Sequence, residues 1–366
     1  MIYALLNIAM LAAPPVFAWM IHNYLRHGDL SGRRKAVFLG VYIVLMNVIL
    51  FAASWLRGVK TLDFNQMTVT YRLKWIGLGI VLGFVLPFFV CLLTEEQITL
   101  GGFRRYILRF TSDIRRYFPY AMQSARADLE SEVSGSYLNW LWWLIEPVCM
   151  MLIYAVIFGV IFSASEPYFT VFIFIGLTMW GFFSRNVSAS VDIVRGSRDI
   201  ITRIYMPKFV LLLSKMLVNG FKALVSFCVV ICMMIVYRVP VTARMLWAIP
   251  VLAVLFLFTF GVGTIMMHYG VYVSDLGYIT GIVLQMLSYF TGTFYSLANR
   301  IPAPFGEILE QFNPVAFLIA AFRNAMLYGK SPAIPILLLW TFVSVVLVAL
   351  GAFTVYSNEN AYVKVI

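Results

Sequence analysis

Apolar runs of about 20 residues recur along most of the chain, each long enough to cross the hydrocarbon core of a bilayer. Nine are legible, at about 3–23, 36–56, 73–94, 138–163, 169–189, 209–237, 245–271, 277–297 and 333–356. A segment in lipid must satisfy its own backbone hydrogen bonds, which leaves helices or a closed barrel. The two-residue alternation of barrel strands is absent. The fold class read from the sequence is therefore an all-α polytopic membrane protein. Composition agrees: 62% of residues are hydrophobic and 12% charged, against about half and a quarter in soluble domains. Pro14-Pro15 weakens the first run, but membrane helices tolerate proline as a kink. That run has no basic leader and no small-x-small site before His22, so no cleavable signal is expected.

The formal net charge is +11. In a soluble protein this would suggest nucleic acid as a partner. Here no Lys/Arg tracts interleave with exposed aromatics, so no nucleic-acid partner is expected. The basic residues instead report orientation. With the N-terminus outside and the C-terminus cytoplasmic, 16 Lys and Arg fall inside and nine outside, as the positive-inside rule prefers. The 57–74 loop, with four basic residues, is the main dissent.

Between two of the runs lies VRGSRDIITRIYMPK, residues 194–208. It sets Arg195, Arg198, Arg203 and Lys208 against the single acid Asp199. Too short for a domain, it suits a helix that presses against a separate cytoplasmic partner. Ile200, Ile201, Ile204 and Tyr205 are expected to fill a groove on that partner, with Arg198 and Arg203 at its rim. An ordinary loop with positive-inside bias is the plainer alternative.

The chain divides near residue 100 into a three-span extension (1–96), a linker outside the membrane core (97–136) and a six-span domain (137–366). In the linker, Phe103, Ile107, Phe110, Ile114 and Tyr117 recur at helical spacing. Arg104, Arg105, Arg109, Arg115 and Arg116 lie mostly on the other side. The pattern predicts an interface helix over 103–118, apolar face in the membrane lipids and arginines among headgroups, ended by Pro119. A solvated linker helix is the alternative. The connection 298–332 mixes four prolines with stretches such as PVAFLIAAF. It reads as short broken helices dipping into the outer leaflet, or as a plain loop.

Catalytic chemistry is hard to find. Cys91, Cys149, Cys228 and Cys232 sit in apolar runs, and His22, His27 and His268 have no ligand spacing, so no metal is expected. Gly329-Lys330-Ser331 resembles the end of a phosphate loop, but Asn324 stands where the required glycine would be. Asn186-Val187-Ser188 is a formal glycosylation sequon at a span end and reads as coincidental. Charges inside spans carry more meaning, because they are expensive there. Glu146 follows Trp140, Trp142 and Trp143. Lys215 and Lys222 share a face of the sixth run, and Lys222 is placed about 20 Å deep, near the midplane, from the helical rise. Lys222 either lines a polar path for an anionic or hydroxyl-rich substrate or pairs structurally with Glu146 or a span of 1–96. The tryptophans either form an interfacial belt or stack on sugar rings.

Four separated strings then resemble one family in its order. They are SGSYLNWLWWLIEPVCMMLIYAVIFGVIF (134–162), FIFIGLTMWGFFSRNVSASVDIVRGSRDIITRIYMPKF (172–209), SDLGYITGIVLQMLSYFTGTFYSL (274–297) and FNPVAFLIAAFRNAMLYG (312–329). They look like the membrane subunit of ABC-2 type polysaccharide exporters, the permeases for O-antigen, teichoic acid and capsule-like glycans. The resemblance covers roughly 103–366 and implies a homodimer of six-helix halves in the bacterial cytoplasmic membrane. It implies a lipid-linked glycan as substrate and a separate ABC ATP-binding subunit, which would bind ATP and Mg in place of any cofactor in this chain. It sets the turns around Arg198–Tyr205 in the ATPase cleft. It also brings the aromatics of the first and fifth spans, including Tyr289, Phe290 and Phe294, near the sugar path. Ser274 stands before Asp275 where family members often have arginine, and 1–96 falls outside the pattern. The alternatives are a lipid or drug exporter of similar architecture, or an integral-membrane glycan-modifying enzyme, for which no catalytic cluster is found.

Overall fold

A computed structural model describes residues 100–134, 137–161, 166–203, 206–301, 305–359 and 362. The spans expected within 1–96 lie outside these residues. Among the described residues every regular element is helical. Among these described residues, five helices are long and apolar enough to cross a membrane.

The first helix, α1 (Leu100–Val133), is not one of these five, and it does not stop at Pro119. An interior proline costs a hydrogen bond and about 3 kcal/mol. Here the buried stripe continues in register beyond it: Phe110 and Ala121 are enclosed, Ile114 and Tyr117 pack on the core, and Ala125 is 3% exposed. Packing on both sides holds the helix through the proline. The apolar face expected to enter lipid therefore covers protein instead. A second stripe, Leu108, Phe118 and Met122, remains exposed on the flank that carries Arg115.

The next element, α2 (Trp142–Tyr154), continues as a π-helix to Ile161 and leaves most of its surface open. α3 (Phe169–Gly196) is the central post: 67% of its most apolar stretch is buried, against 6% for α2. A six-residue helix, α4 (Arg198–Arg203), follows, and α5 (Phe209–Val236) returns alongside α3. α6 (Ala248–Tyr272) packs on α3 and on the last helix, α11 (Ile334–Ser357). Small residues permit this closeness. A Cβ on Gly270 would strike the carbonyl of Val191, and one on Gly351 would strike Thr264.

The span expected at 277–297 is a 15-residue helix, α7 (Leu276–Phe290). It is followed by a turn with Gly292 at φ 64°. Three short helices then replace a simple loop: α8 (Leu297–Arg300), α9 (Phe305–Phe312) and α10 (Pro314–Met326). The connection is thus broken into short helices, as the first of the two readings expects. Asn313 caps α10 by accepting from the N–H groups of Val315 and Ala316, with Pro314 at the first helical position.

Candidate functional site

A groove of about 180 Å³ opens between α2, α3 and α5, and Trp143, Glu146 and Lys222 all line it. Tyr154, Arg185 and Asn219 complete its polar and aromatic wall. Asn219 is held by its donation to Asn186 Oδ1 at 2.8 Å, while Asn186 donates to the Phe182 carbonyl at 2.7 Å. These bonds give the buried Asn186 a structural role, in keeping with a coincidental sequon. Tyr154 also leads out of the groove. Its ring lies 4.8 Å from Phe294, which stacks on Phe158 at 5.1 Å and meets Tyr289 at 6.2 Å. Polar groove and aromatic cluster are thus continuous through one tyrosine.

Not every expected path residue joins them. Trp140 and Trp142 are exposed, as is Phe290, whereas Phe294 is buried. Trp143 meets Phe221 edge-on at 5.5 Å. Among the described residues Lys222 pairs with Glu132 rather than Glu146: its Nζ lies 2.5 Å from Glu132 Oε2, and Lys215 meets Asp128 at 2.7 Å. Both acids belong to the last turns of α1. Lys222 stands halfway along α5. α5 has 28 residues and is about 42 Å long, more than a bilayer core needs. Lys222 lies level with a charged helix end.

The helix expected to meet a partner is present as α4, but not all of its surface is free. Ile201 is 7% exposed and packed in the core, so it does not reach toward a partner. The backbone of Ile200 and Arg203 is helical, Arg198 and Asp199 are exposed, and Ile204 and Tyr205 lie outside the described residues. Arg195, at the end of α3, donates to the Val271 carbonyl at 3.0 Å and ties that end to α6.

On α1, Arg115 and Arg116 are exposed, whereas the side chains of Arg104 and Arg105 lie outside the described residues. Arg109 departs from the lipid-headgroup expectation. Its guanidinium lies 3.6 Å from Asp113 and 3.5 Å from Glu359, with its carbon 4.7 Å from the centre of the Tyr356 ring. Glu359 also lies 3.7 Å from Lys208, and burial pushes the Lys208 ammonium below its ordinary pKa against the pull of that carboxylate.

Sequence reasoning missed Arg323, which it counted among outer-loop charges. The residue is 4% exposed within α10. Its three guanidinium nitrogens donate to the carbonyls of Phe172 at 3.0 Å, Gly292 at 2.7 Å and Thr293 at 2.7 Å. Its central carbon lies 3.4 Å from the centre of the Phe172 ring. The signal was available: an arginine inside PVAFLIAAFRNAM stands in an apolar helix. The Gly329 decoy resolves into a turn at φ 56°, whose carbonyl accepts from Arg244 at 2.6 Å.

Residues 126–327 match the model of the ABC-2 type transporter family. The chain belongs to this family. Membership makes it a multi-pass membrane component of a transporter rather than an enzyme, with an ABC ATP-binding subunit as its implied partner. Among curated proteins it is similar to an "O-antigen export system permease protein RfbA" of Klebsiella pneumoniae, 28% identical over 203 residues, covering 55% of this chain and 78% of the relative. It is also similar to a protein of the same name from Myxococcus xanthus, 24% identical over 245 residues, covering 66% and 93%.

Proposed function

We propose that this chain is the membrane subunit of a bacterial exporter of a lipid-linked cell-surface polysaccharide of the O-antigen kind. The observation that carries the reading is the similarity to permeases of that name on two organisms' export systems, spanning most of each relative. The groove chemistry supports it. Arg185, Lys222 and Asn219 offer cationic and amide contacts for an anionic or hydroxyl-rich group, and Trp143, Tyr154 and Phe294 offer ring faces for sugars.

In this reading two copies pair, with the exposed apolar faces of α2 and α7 available to lipid or to the second copy. The α4 end faces the cytoplasm and a separate subunit that binds ATP and Mg. The N-terminus lies outside and the C-terminus inside. Arg198, Asp199 and Arg203 then stand at the docking surface, in keeping with α4 being held between two long helices.

Deleting the gene and locating the glycan tests the export reading. Polymer should accumulate inside the cell, and normal surface display would end the proposal. Charge reversal at Arg198 and Arg203 tests docking. The double variant should insert normally and lose co-purification of the ATPase, while retained binding would remove α4 from that role.

A further inference from the structure

The charges around Glu359, two of them buried, stand apart from the groove, and they join three elements. Lys208 belongs to the connection leaving α4, Arg109 and Asp113 to α1, and Tyr356 and Glu359 to the end of α11 and the turn beyond it. Lys208 is 2% exposed and Glu359 7%. The Glu359 carboxylate faces Lys208 through one oxygen and Arg109 through the other, at 3.7 and 3.5 Å. Tyr356 donates to Asp113 at 2.7 Å, and Asp113 returns to Arg109 at 3.6 Å.

Stability alone does not call for these charges. Buried ion pairs often do no better than apolar side chains of the same volume. The same elements are already joined by an aromatic layer, with Phe110 against Phe209 at 4.9 Å and Phe209 against Tyr356 at 6.0 Å. What a carboxylate adds is direction, because it holds two cations from separate elements in one geometry. It can also shift its share between them when one element moves. Neither contact is a short two-point fork, so the arrangement admits such a shift.

We infer that Glu359 is a positioning residue that passes movement of α4, received through Lys208, to α1 through Arg109 and to α11 through its own backbone. This rests on the reading of α4 as the ATPase docking helix.

The test uses the full transporter with its ATPase subunit in proteoliposomes, measuring ATP hydrolysis, glycan transport and subunit ratio together. Glu359→Gln should keep the ATPase bound and hydrolysing, while glycan moved per ATP falls about tenfold, a coupling loss within the usual range. Lys208→Met with Glu359→Met replaces the pair by apolar chains, so it should fold even if Glu359→Gln does not, and it should be equally uncoupled. A wild-type ratio of transport to hydrolysis in that double variant overturns the inference. So does loss of the ATPase from it, since the cluster would then merely shape the docking surface. Docking itself fails separately, if reversal of Arg198 and Arg203 leaves the ATPase bound.

Discussion

Lys208 and Arg323 are both buried cations, 2% and 4% exposed, one beyond the last turn of α3 and the other beside its first. They are satisfied differently. Lys208 faces a carboxylate that also faces Arg109. Arg323 donates to three backbone carbonyls in two segments. A carboxylate on a side chain can change partners, whereas a carbonyl in a folded backbone moves only with its whole segment. The Arg323 end is therefore built to keep one geometry. The Lys208 end holds its elements with groups able to redistribute.

The largest expected loss tests the fixed end. Arg323→Leu takes the donor from the buried carbonyls of Gly292 and Thr293, each costing about 1–3 kcal/mol when unsatisfied, whereas the Phe172 carbonyl keeps its place in the helix ladder. Detergent-solubilised protein should lose most of its folded yield, and Arg323→Lys should recover only part, because an ammonium lacks the planar fork. Gly176 supplies an independent check. A Cβ there would collide with both the Arg323 guanidinium and the Thr293 carbonyl. Gly176→Ala should be strongly destabilising alone and add little to Arg323→Leu, because both disrupt one contact. Full additivity in thermal unfolding would mean that the cage is not a unit.

The two ends were not equally legible. Four matched strings and the runs of apolar residues led to helices, their order and the short helix at 198–203, because membrane crossing forces a simple pattern on sequence. Trp143, Glu146 and Lys222 could be named together because charges and tryptophans stand out in apolar runs. The hub around Glu359 was invisible for the opposite reason. Its members lie 250 residues apart, as between Arg109 and Glu359, and each looks like an ordinary interfacial charge. Arg323 was misread because the orientation count takes every basic residue between spans as an outer charge, and Pro119 because propensity was weighed without the packing that overrides it.

A smaller effect should come from the hub's hydroxyl. Tyr356→Phe keeps the ring that faces Arg109 and packs on Phe209, but removes the donation to Asp113. A single such bond is worth about 1 kcal/mol. The expected outcome is a modest drop in thermal stability with transport retained, unlike Glu359→Gln. Loss of transport equal to that of Glu359→Gln would mean that the hub works through Asp113 rather than through the shared carboxylate.

The smallest effect belongs to Arg126 and Glu130, an i,i+4 pair on α1 at 2.9 Å with side chains 82% and 66% exposed. Exposed pairs of this kind contribute about 0.3–0.5 kcal/mol. Arg126→Ala should therefore shift thermal stability hardly at all, and raising the salt concentration should hide even that. The variant matters because it measures the surroundings of α1's last turns, where Asp128 and Glu132 hold Lys215 and Lys222. A loss several times larger, and insensitive to salt, would place those turns away from water. Lys222 would then be deep after all, and its pairing with Glu132 would be a buried ion pair like the one at Lys208.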